Sequence, residues 1–340
     1  MFHGFCNSLA ELLLDFCVVL VILDLLRDRQ YVCAVCLLME NNGLPRSCSR
    51  AYGNRTVIAV CNDPAGGQEE FQIMKNGFDA VLPEKIERLT AGKAYTTDAV
   101  GMSGSQVRVF DDFVLKIEKF RKENDETVRM MRWLCGRIPV PEVLCYETDG
   151  ILQYLLMSRV GGKMSCDTYY LERPEELLKL LSDAIKMLWS VDVPDCPRNT
   201  GLEADLAEAG RRVRQGLVDM DHVEPETFGE DGFENPKALL RWLENNKPEE
   251  ELVLSHGDFC LPNIFLEHGR VSGFIDLGNT GAADRWKDIA LCYRSLKHNC
   301  DGSYGGRVYQ NFNPDRLFEK LGIKPDWVKI RYYTLLDELF

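Results

Sequence analysis

The most legible stretch of the chain is SHGDFCLPNIF at 255–265, followed by SGFIDLGNTGAADRWKDIALC at 272–292. It sets His256-Gly257-Asp258 first, then Asn263 five residues on, then Asp276 thirteen further. Phosphoryl transfer needs one carboxylate to accept or orient a hydroxyl proton and two oxygen ligands to hold Mg²⁺ between phosphates. This stretch supplies all three. Taken singly, Asp258 is an ordinary turn residue and Asn263 an ordinary cap; only the joint spacing turns the reading towards chemistry. His256, placed before Gly-Asp, is expected to brace the backbone, and Asp288 in Trp286-Lys287-Asp288 to anchor the loop.

Those side chains must be brought together by a hairpin. Apolar strands over Asn263–Leu266 and Val271–Ile275, joined by a turn at Gly269, would bring Asn263 and Asp276 to one metal site, with Asp258 just ahead of it near a γ-phosphate. Upstream, Ala99–Ile117 reads as strand, Gly/Ser loop and strand, with Lys116 inside Val114-Leu115-Lys116-Ile117. Residues 122–135 predict a helix with an acidic start, stopped by Pro139-Val140-Pro141. Ile151–Val160 reads as a buried strand, Gly161 and Gly162 mark a crossover, and Leu177, Leu181, Ile185 and Leu188 give 174–189 a helical period. A Gly loop, a strand lysine, an acidic helix, an apolar strand and then Asp/Asn/Asp is the order found in protein kinases.

Composition bounds the partners. The 340 residues carry 40 Lys+Arg against 53 Asp+Glu, a formal charge of −13, which disfavours nucleic acid and anionic membranes and suits a cationic ligand. Thirteen cysteines, odd in number and without paired zinc spacing, predict no disulfide framework; a lone Cys33-x-x-Cys36 stands without a matching second pair. A reducing cytoplasm is the expected location. The apolar run Leu9–Leu26 contains Glu11, Asp15 and Asp24 and lacks a basic leader, so no membrane role is expected of it. The text is irregular before about residue 70 and regular after it, and 1–73 are expected to be an appendage or an over-extended translation start.

From about Met74 to Phe340 the chain resembles the aminoglycoside 3'-phosphotransferase family. The resemblance is carried by MMRWLCGRIPVPEVL, LLMSRVGG, VDVPDCP, KPEEELVLSHGD, CLPNIF, VSGFIDLG, AADRWKDIALCYRS, LGIKPDW and the terminal LLDELF. It implies a two-lobed, protein-kinase-like α+β fold, with a small antiparallel-sheet N-lobe and hinge over 74–160, a mainly helical C-lobe over 161–340, and an extra segment over 1–73. It also implies ATP-dependent phosphorylation of kanamycin- or neomycin-type antibiotics at the 3'-hydroxyl, with ATP and Mg²⁺ bound. On this resemblance Asp258 is the catalytic base, Asn263 and Asp276 hold Mg²⁺, and Lys116 meets the α- and β-phosphates. Ser103 and Gly104 would cover the β-phosphate, while Met157, Ser158 and Val160 would read adenine through backbone groups. The cationic drug would meet Asp219, Asp221, Glu224 and Glu226 on one segment, and Asp337, Glu338 and Phe340 at the C-terminus.

The chain also departs from that pattern. Val114 stands where some relatives stack an aromatic on adenine, Asn279 follows Leu277-Gly278 in place of an arginine, and His298 lies near a place where an acid helps bind drug. The helix glutamate expected to pair with Lys116 falls on Thr127, and one residue is about 100° of helix rotation; Glu126 is the expected partner, with Glu123 a turn earlier. A related kinase for another alcohol, or a nucleotide-binding protein without catalysis, are the rival readings.

Overall fold

A computed structural model describes residues 47–52, 55–60, 82–98, 105–221, 223–230, 232–304, 306–310 and 312–340. The Leu9–Leu26 run, Cys33 and Cys36, Met74, and the loop residues Ser103 and Gly104 lie outside the described residues. The chain divides into two compact units, Met1–Val81 and Leu82–Phe340. In the first, strands β1 (Ser47–Tyr52) and β2 (Arg55–Val60) pair antiparallel, with Ser47 opposite Val60.

The second unit begins with a short helix, α1 (Glu84–Thr90), and then builds an antiparallel sheet from β3 (Thr96–Asp98), β4 (Gln106–Val109) and β5 (Phe113–Lys119). Helix α2 (Lys122–Leu134) follows, then β6 (Val143–Thr148) and β7 (Leu152–Ser158), giving the strand order β3-β4-β5-β7-β6. β5 alternates as its sequence requires: Phe113, Leu115 and Ile117 are buried against the core, while Val114, Lys116 and Glu118 share the opposite, half-exposed face. β3 reaches Asp98, and the strand start and Gly/Ser loop expected over 99–104 lie outside the described residues.

Gly161 and Gly162 then carry the chain across. Gly162 has φ +91°, and a Cβ there would stand 2.4 Å from the Leu266 carbonyl oxygen, so the crossover passes too close to the next sheet for any side chain. Beyond it come β8 (Lys163–Met164), α3 (Thr168–Leu171), α4 (Pro174–Trp189), α5 (Leu202–Gln215), α6 (Pro236–Asn245) and β9 (Leu252–Ser255). The hairpin β10 (Ile264–Glu267) and β11 (Arg270–Phe274) follows, then β12 (Gly281–Asp284), α7 (Arg285–Asp301), α8 (Arg316–Leu321) and α9 (Trp327–Asp337). β8 joins β10 and β11 in one small sheet, and β9 pairs with β12 in another.

The helical period read from Leu177, Leu181, Ile185 and Leu188 is borne out: all four are buried on α4, whose first turn carries Pro174 where its missing N–H has no helical partner to lose. This helix packs against α8 and under β9, β10 and β11, so the core seats the small sheets that carry the site. Leu181→Ala should lower unfolding stability by about 2–5 kcal/mol, read as a lower midpoint in a urea melt.

Candidate active site

The β10–β11 turn has two residues, His268 at φ +49° and Gly269 at φ +71°, and the positive φ at both matches the right-handed twist of the flanking strands. At the hairpin's other end Asn263 closes a 3-10 turn, Leu261–Asn263, and its carbonyl accepts the Ile275 N–H at 3.0 Å. That bond sets Asn263 beside Asp276, the residue after Ile275. Asp276 takes φ +56°, ψ +60°, a left-handed conformation unfavourable for a residue with a Cβ, and turns into a second 3-10 turn at Leu277–Asn279.

Asp258 reaches the same place from the β9 side. Asn263 Nδ2 donates at 3.0 Å both to the Asp258 carbonyl and to its Oδ2, and the Cys260 thiol donates to Oδ1 at 3.0 Å. Because both amide bonds use Nδ2, Oδ1 of Asn263 is left as an oxygen donor. Burial and the neighbouring Asp258 carboxylate push the Cys260 thiol well above its ordinary pKa, so it stays a proton donor to Asp258.

The loop itself hangs on Asp288, which is wholly buried on α7. It accepts from Ser255 Oγ at 2.9 Å, from the His256 N–H at 2.8 Å and from the Gly257 N–H at 3.0 Å. Burial raises its pKa, against the lowering effect of His256 and these donors. His256 lies buried between the Ile275 carbonyl, 2.9 Å from Nε2, and the Asp258 N–H, 3.3 Å from Nδ1. Those partners assign the proton to Nε2 and leave the ring no free nitrogen, so His256 ties the loop to β11 and is unavailable as a base. The brace and anchor expected of His256 and Asp288 are what the geometry shows.

Lys116 enters from the five-stranded sheet. Its Nζ lies 3.5 Å from Glu118 Oε2 and 4.0 Å from Asp276 Oδ1. One ammonium, two carboxylates and an amide oxygen thus converge in one cleft, which suits a phosphate–metal complex. Among the described residues no three His, Cys, Asp or Glu side chains are grouped so as to hold a metal ion. The Asn263 amide oxygen and the Asp276 carboxylate are nevertheless hard oxygen donors of the kind Mg²⁺ accepts.

The expected partner of Lys116 needs correction. Glu126 is directed to Arg198, 3.8 Å from its Nε, and Lys116 makes its ion pairs with Glu118 and Asp276. Thr127 and Glu126 both meet Arg198, Thr127 Oγ1 accepting from its Nη2 at 3.1 Å, so this turn of α2 is committed to Arg198 and leaves Glu126 paired there. Arg198 also donates to the Gly278 carbonyl at 2.5 Å, so it pins α2 to the turn that carries Asp276. Glu118 was legible as the residue two along from Lys116 on one strand face, a spacing the sequence reading passed over.

Of the proposed adenine readers, Met157 pairs with Val114 across the sheet, and the Ser158 N–H is committed to the Glu142 carbonyl at 2.9 Å. Val160 follows on the half-buried segment after β7, and its side chain packs on Gly273, where a Cβ would stand 2.5 Å from Val160 Cγ1.

The expected drug-binding carboxylates fall into two groups. Arg294 gathers Asp337 and Glu338, the latter at 3.1 Å, and Glu338 also accepts the Glu224 N–H at 2.7 Å. Burial works against the Arg294 charge, and Asp337 and Glu338 outweigh it and hold the guanidinium protonated; burial raises the Glu338 carboxyl above its usual range. Glu224 in turn lies 3.4 Å from His298 Nε2, and the Phe340 carbonyl oxygen is bonded by Arg212. Asp219, Asp221 and Glu226 are exposed on the connection between α5 and α6, where Asp219 accepts the Asp221 N–H at 3.0 Å. Arg294 and Arg212 were missed in the sequence because nothing in their spacing marks a cation that folds the C-terminus back on the protein.

Comparison with known proteins bears on the family and the fold. The profile of the phosphotransferase enzyme family matches residues 95–321. An aminoglycoside 3'-phosphotransferase of Enterococcus faecalis is 44% identical over 213 residues, 62% of this chain and 76% of that protein. The crystal structure of an aminoglycoside-3'-phosphotransferase of type VIII superposes with a TM-score of 0.63 at 26% identity, covering 75% of this chain and 97% of that one. An aminoglycoside phosphotransferase from Streptomyces rimosus, solved with ADP and streptomycin, shares the fold with a TM-score of 0.62 at 24% identity, covering 76% and 99%.

Gly257 is the position where this site tolerates least. Its φ is +81°, and a Cβ would stand 2.1 Å from the Asn279 carbonyl oxygen. Gly257→Ala should cost about 1–3 kcal/mol from backbone strain alone, seen as a lowered melting temperature, and should displace Asp258.

Proposed function

This chain belongs to the phosphotransferase enzyme family, among its aminoglycoside 3'-phosphotransferases, and from that premise we propose that it transfers the γ-phosphate of ATP to the 3'-hydroxyl of kanamycin- or neomycin-type aminoglycosides. The observation that carries the reading is the convergence of Asp258, Asn263, Asp276 and Lys116 in one cleft. On this reading Asp258 accepts the proton of the drug hydroxyl as its oxygen bonds to the γ-phosphorus and the bond to the β–γ bridging oxygen breaks, releasing ADP. Cys260 and Asn263 each donate to one Asp258 oxygen, which orients the carboxylate without neutralising it. Lys116 steadies the α- and β-phosphates, and Val160 supplies backbone groups to adenine.

Asn263 Oδ1 and Asp276 are the residues that would hold Mg²⁺, which would supply neutralisation of the phosphate charge. The loop containing Ser103 and Gly104 is assigned to the β-phosphate. For the drug, Glu224, Asp337 and Glu338 form a partly self-neutralised floor, with Phe340 beside it, and Asp219, Asp221 and Glu226 supply charge at its rim. Charge-assisted hydrogen bonds to several ammonium groups would fix which hydroxyl faces Asp258.

The catalytic unit on this reading is 74–340, with N-lobe and hinge to 160, C-lobe from 161, and 1–73 an extension outside it. A cytoplasmic enzyme is implied, where ATP is available and thiols stay reduced; the seven cysteines from Cys135 to Cys300 are all free. Among the described residues no helix is long and apolar enough to cross a membrane.

Asp258→Ala should lower the rate of phosphate transfer to kanamycin by about 10²–10⁴-fold with the melting temperature unchanged, in a coupled assay of ADP release. Turnover equal to the unmodified chain would overturn the assignment of the base. In the same assay a drug with a 3'-hydroxyl should be consumed and one lacking it spared; equal consumption would point to another hydroxyl. Chelation of Mg²⁺ should abolish transfer, and Asn263→Ala should raise the Mg²⁺ concentration needed to restore it.

A further inference from the structure

We propose that Glu118, on the same strand as Lys116, is the positioning residue that holds the phosphate-binding ammonium in place, a task that a helix glutamate performs in protein kinases. The inference rests on the phosphotransfer reading above and deepens it. Residues two apart on a strand share a face, so Lys116 and Glu118 both point to the half-exposed side of β5, and their charged atoms stand 3.5 Å apart.

Glu118 is also held from three other elements. Ser105, at the start of β4, donates to Oε2 at 3.0 Å, the same oxygen that faces Lys116. Asn124, in the first turn of α2, donates to Oε1 at 3.0 Å, and Gln153, directly opposite on β7, donates to Oε1 at 2.5 Å. A carboxylate held by donors from three directions has little rotamer freedom, so it can aim the longer lysine beside it. The Glu118 and Lys116 side chains are about equally sheltered, at 21% and 23% exposed, whereas Glu126 is 49% exposed and faces Arg198.

The connection through α2 explains how a helix without a suitably placed glutamate still serves the site. In this chain α2 sends Asn124 to Glu118 instead of sending a carboxylate to Lys116, so helix position is transmitted through an amide. The Ser105 contact adds a link to the end of the loop assigned to the β-phosphate.

The test uses the full chain with Glu118→Gln, Lys116→Met, the double variant and Glu126→Gln, reading affinity for a fluorescent ATP analogue together with kcat and KM for both substrates. Glu118→Gln should weaken nucleotide affinity and raise the KM for ATP by roughly 10- to 100-fold, the size of a lost charged hydrogen bond, with drug KM and melting temperature unchanged. In the Lys116→Met background the same change should add nothing, because Glu118 acts through the lysine. Full nucleotide affinity in Glu118→Gln, equal losses in both backgrounds, or a loss carried by Glu126→Gln with Glu118→Gln silent would each overturn the assignment while leaving the phosphotransfer reading intact. Failure of the unmodified chain to bind nucleotide would overturn both.

Discussion

A carboxylate buried without a counter-ion is the constraint on which the rest of this site depends. Asp288 forms no ion pair among the described residues, yet it is fully enclosed, and isolated ions in such a place are strongly disfavoured. What offsets the burial is a set of donors drawn from one short segment: the Ser255 hydroxyl and the N–H groups of His256 and Gly257. The requirement runs in both directions. The carboxylate needs those donors, and in meeting the need the segment loses the freedom that a loop before Asp258 would otherwise have. Gly257 is the residue that permits this, because the path requires a positive φ and a close pass beneath Asn279.

From that anchor the fixed geometry spreads through hydrogen bonds, each linking two catalytic elements. His256 ties the loop to the end of the hairpin through the Ile275 carbonyl, Thr280 Oγ1 donates to the His256 carbonyl at 2.9 Å, and Asn263 clasps Asp258 through its amide. Asp258, Asn263 and the residue before Asp276 are therefore tied into one hydrogen-bonded unit. The sheet above the cleft meets that body through cations: Lys116 approaches Asp276, and Arg198 fastens α2 to Gly278. Asp276 is held in a strained left-handed conformation between them. A strained residue persists only where its surroundings over-determine it, and here the Ile275–Asn263 bond on one side and the Leu277–Asn279 turn on the other do so.

Much of this was readable in the sequence, for physical reasons that differ between elements. Helix α2 and helix α4 announce themselves by period and by proline, and both fall within a residue of their expected bounds. The β10–β11 hairpin follows from apolar strands around a glycine turn, so the approach of Asn263 to Asp276 could be inferred before any coordinates. The partner of Lys116 could not, because a one-residue offset on a helix swings a side chain by about 100° and the sequence does not say which neighbour fills the gap. Thr127 and Arg198, 71 positions apart, settle it. The same holds for Arg294, whose partners Asp337 and Glu338 lie more than forty positions away. Long-range pairing of charges depends on how whole elements dock, and no local period records it.

The acidic floor shows a second consequence of such pairing. Asp337 and Glu338 were read from sequence as free charges awaiting a cation, but the fold already gives them Arg294 and sinks Glu338 beneath the surface. A buried carboxylate stripped of its guanidinium would be costly, so on the proposed reading a polyamine sugar cannot simply displace Arg294. It must instead bind the lone pairs that Asp337 and Glu224 leave open, and draw its long-range attraction from the exposed Asp219, Asp221 and Glu226. Recognition then separates into two physical tasks. On that reading the exposed carboxylates, screened by salt and tolerant of position, would gather the cation, and the paired ones, held in place by Arg294 and the Glu224 N–H, would set its orientation.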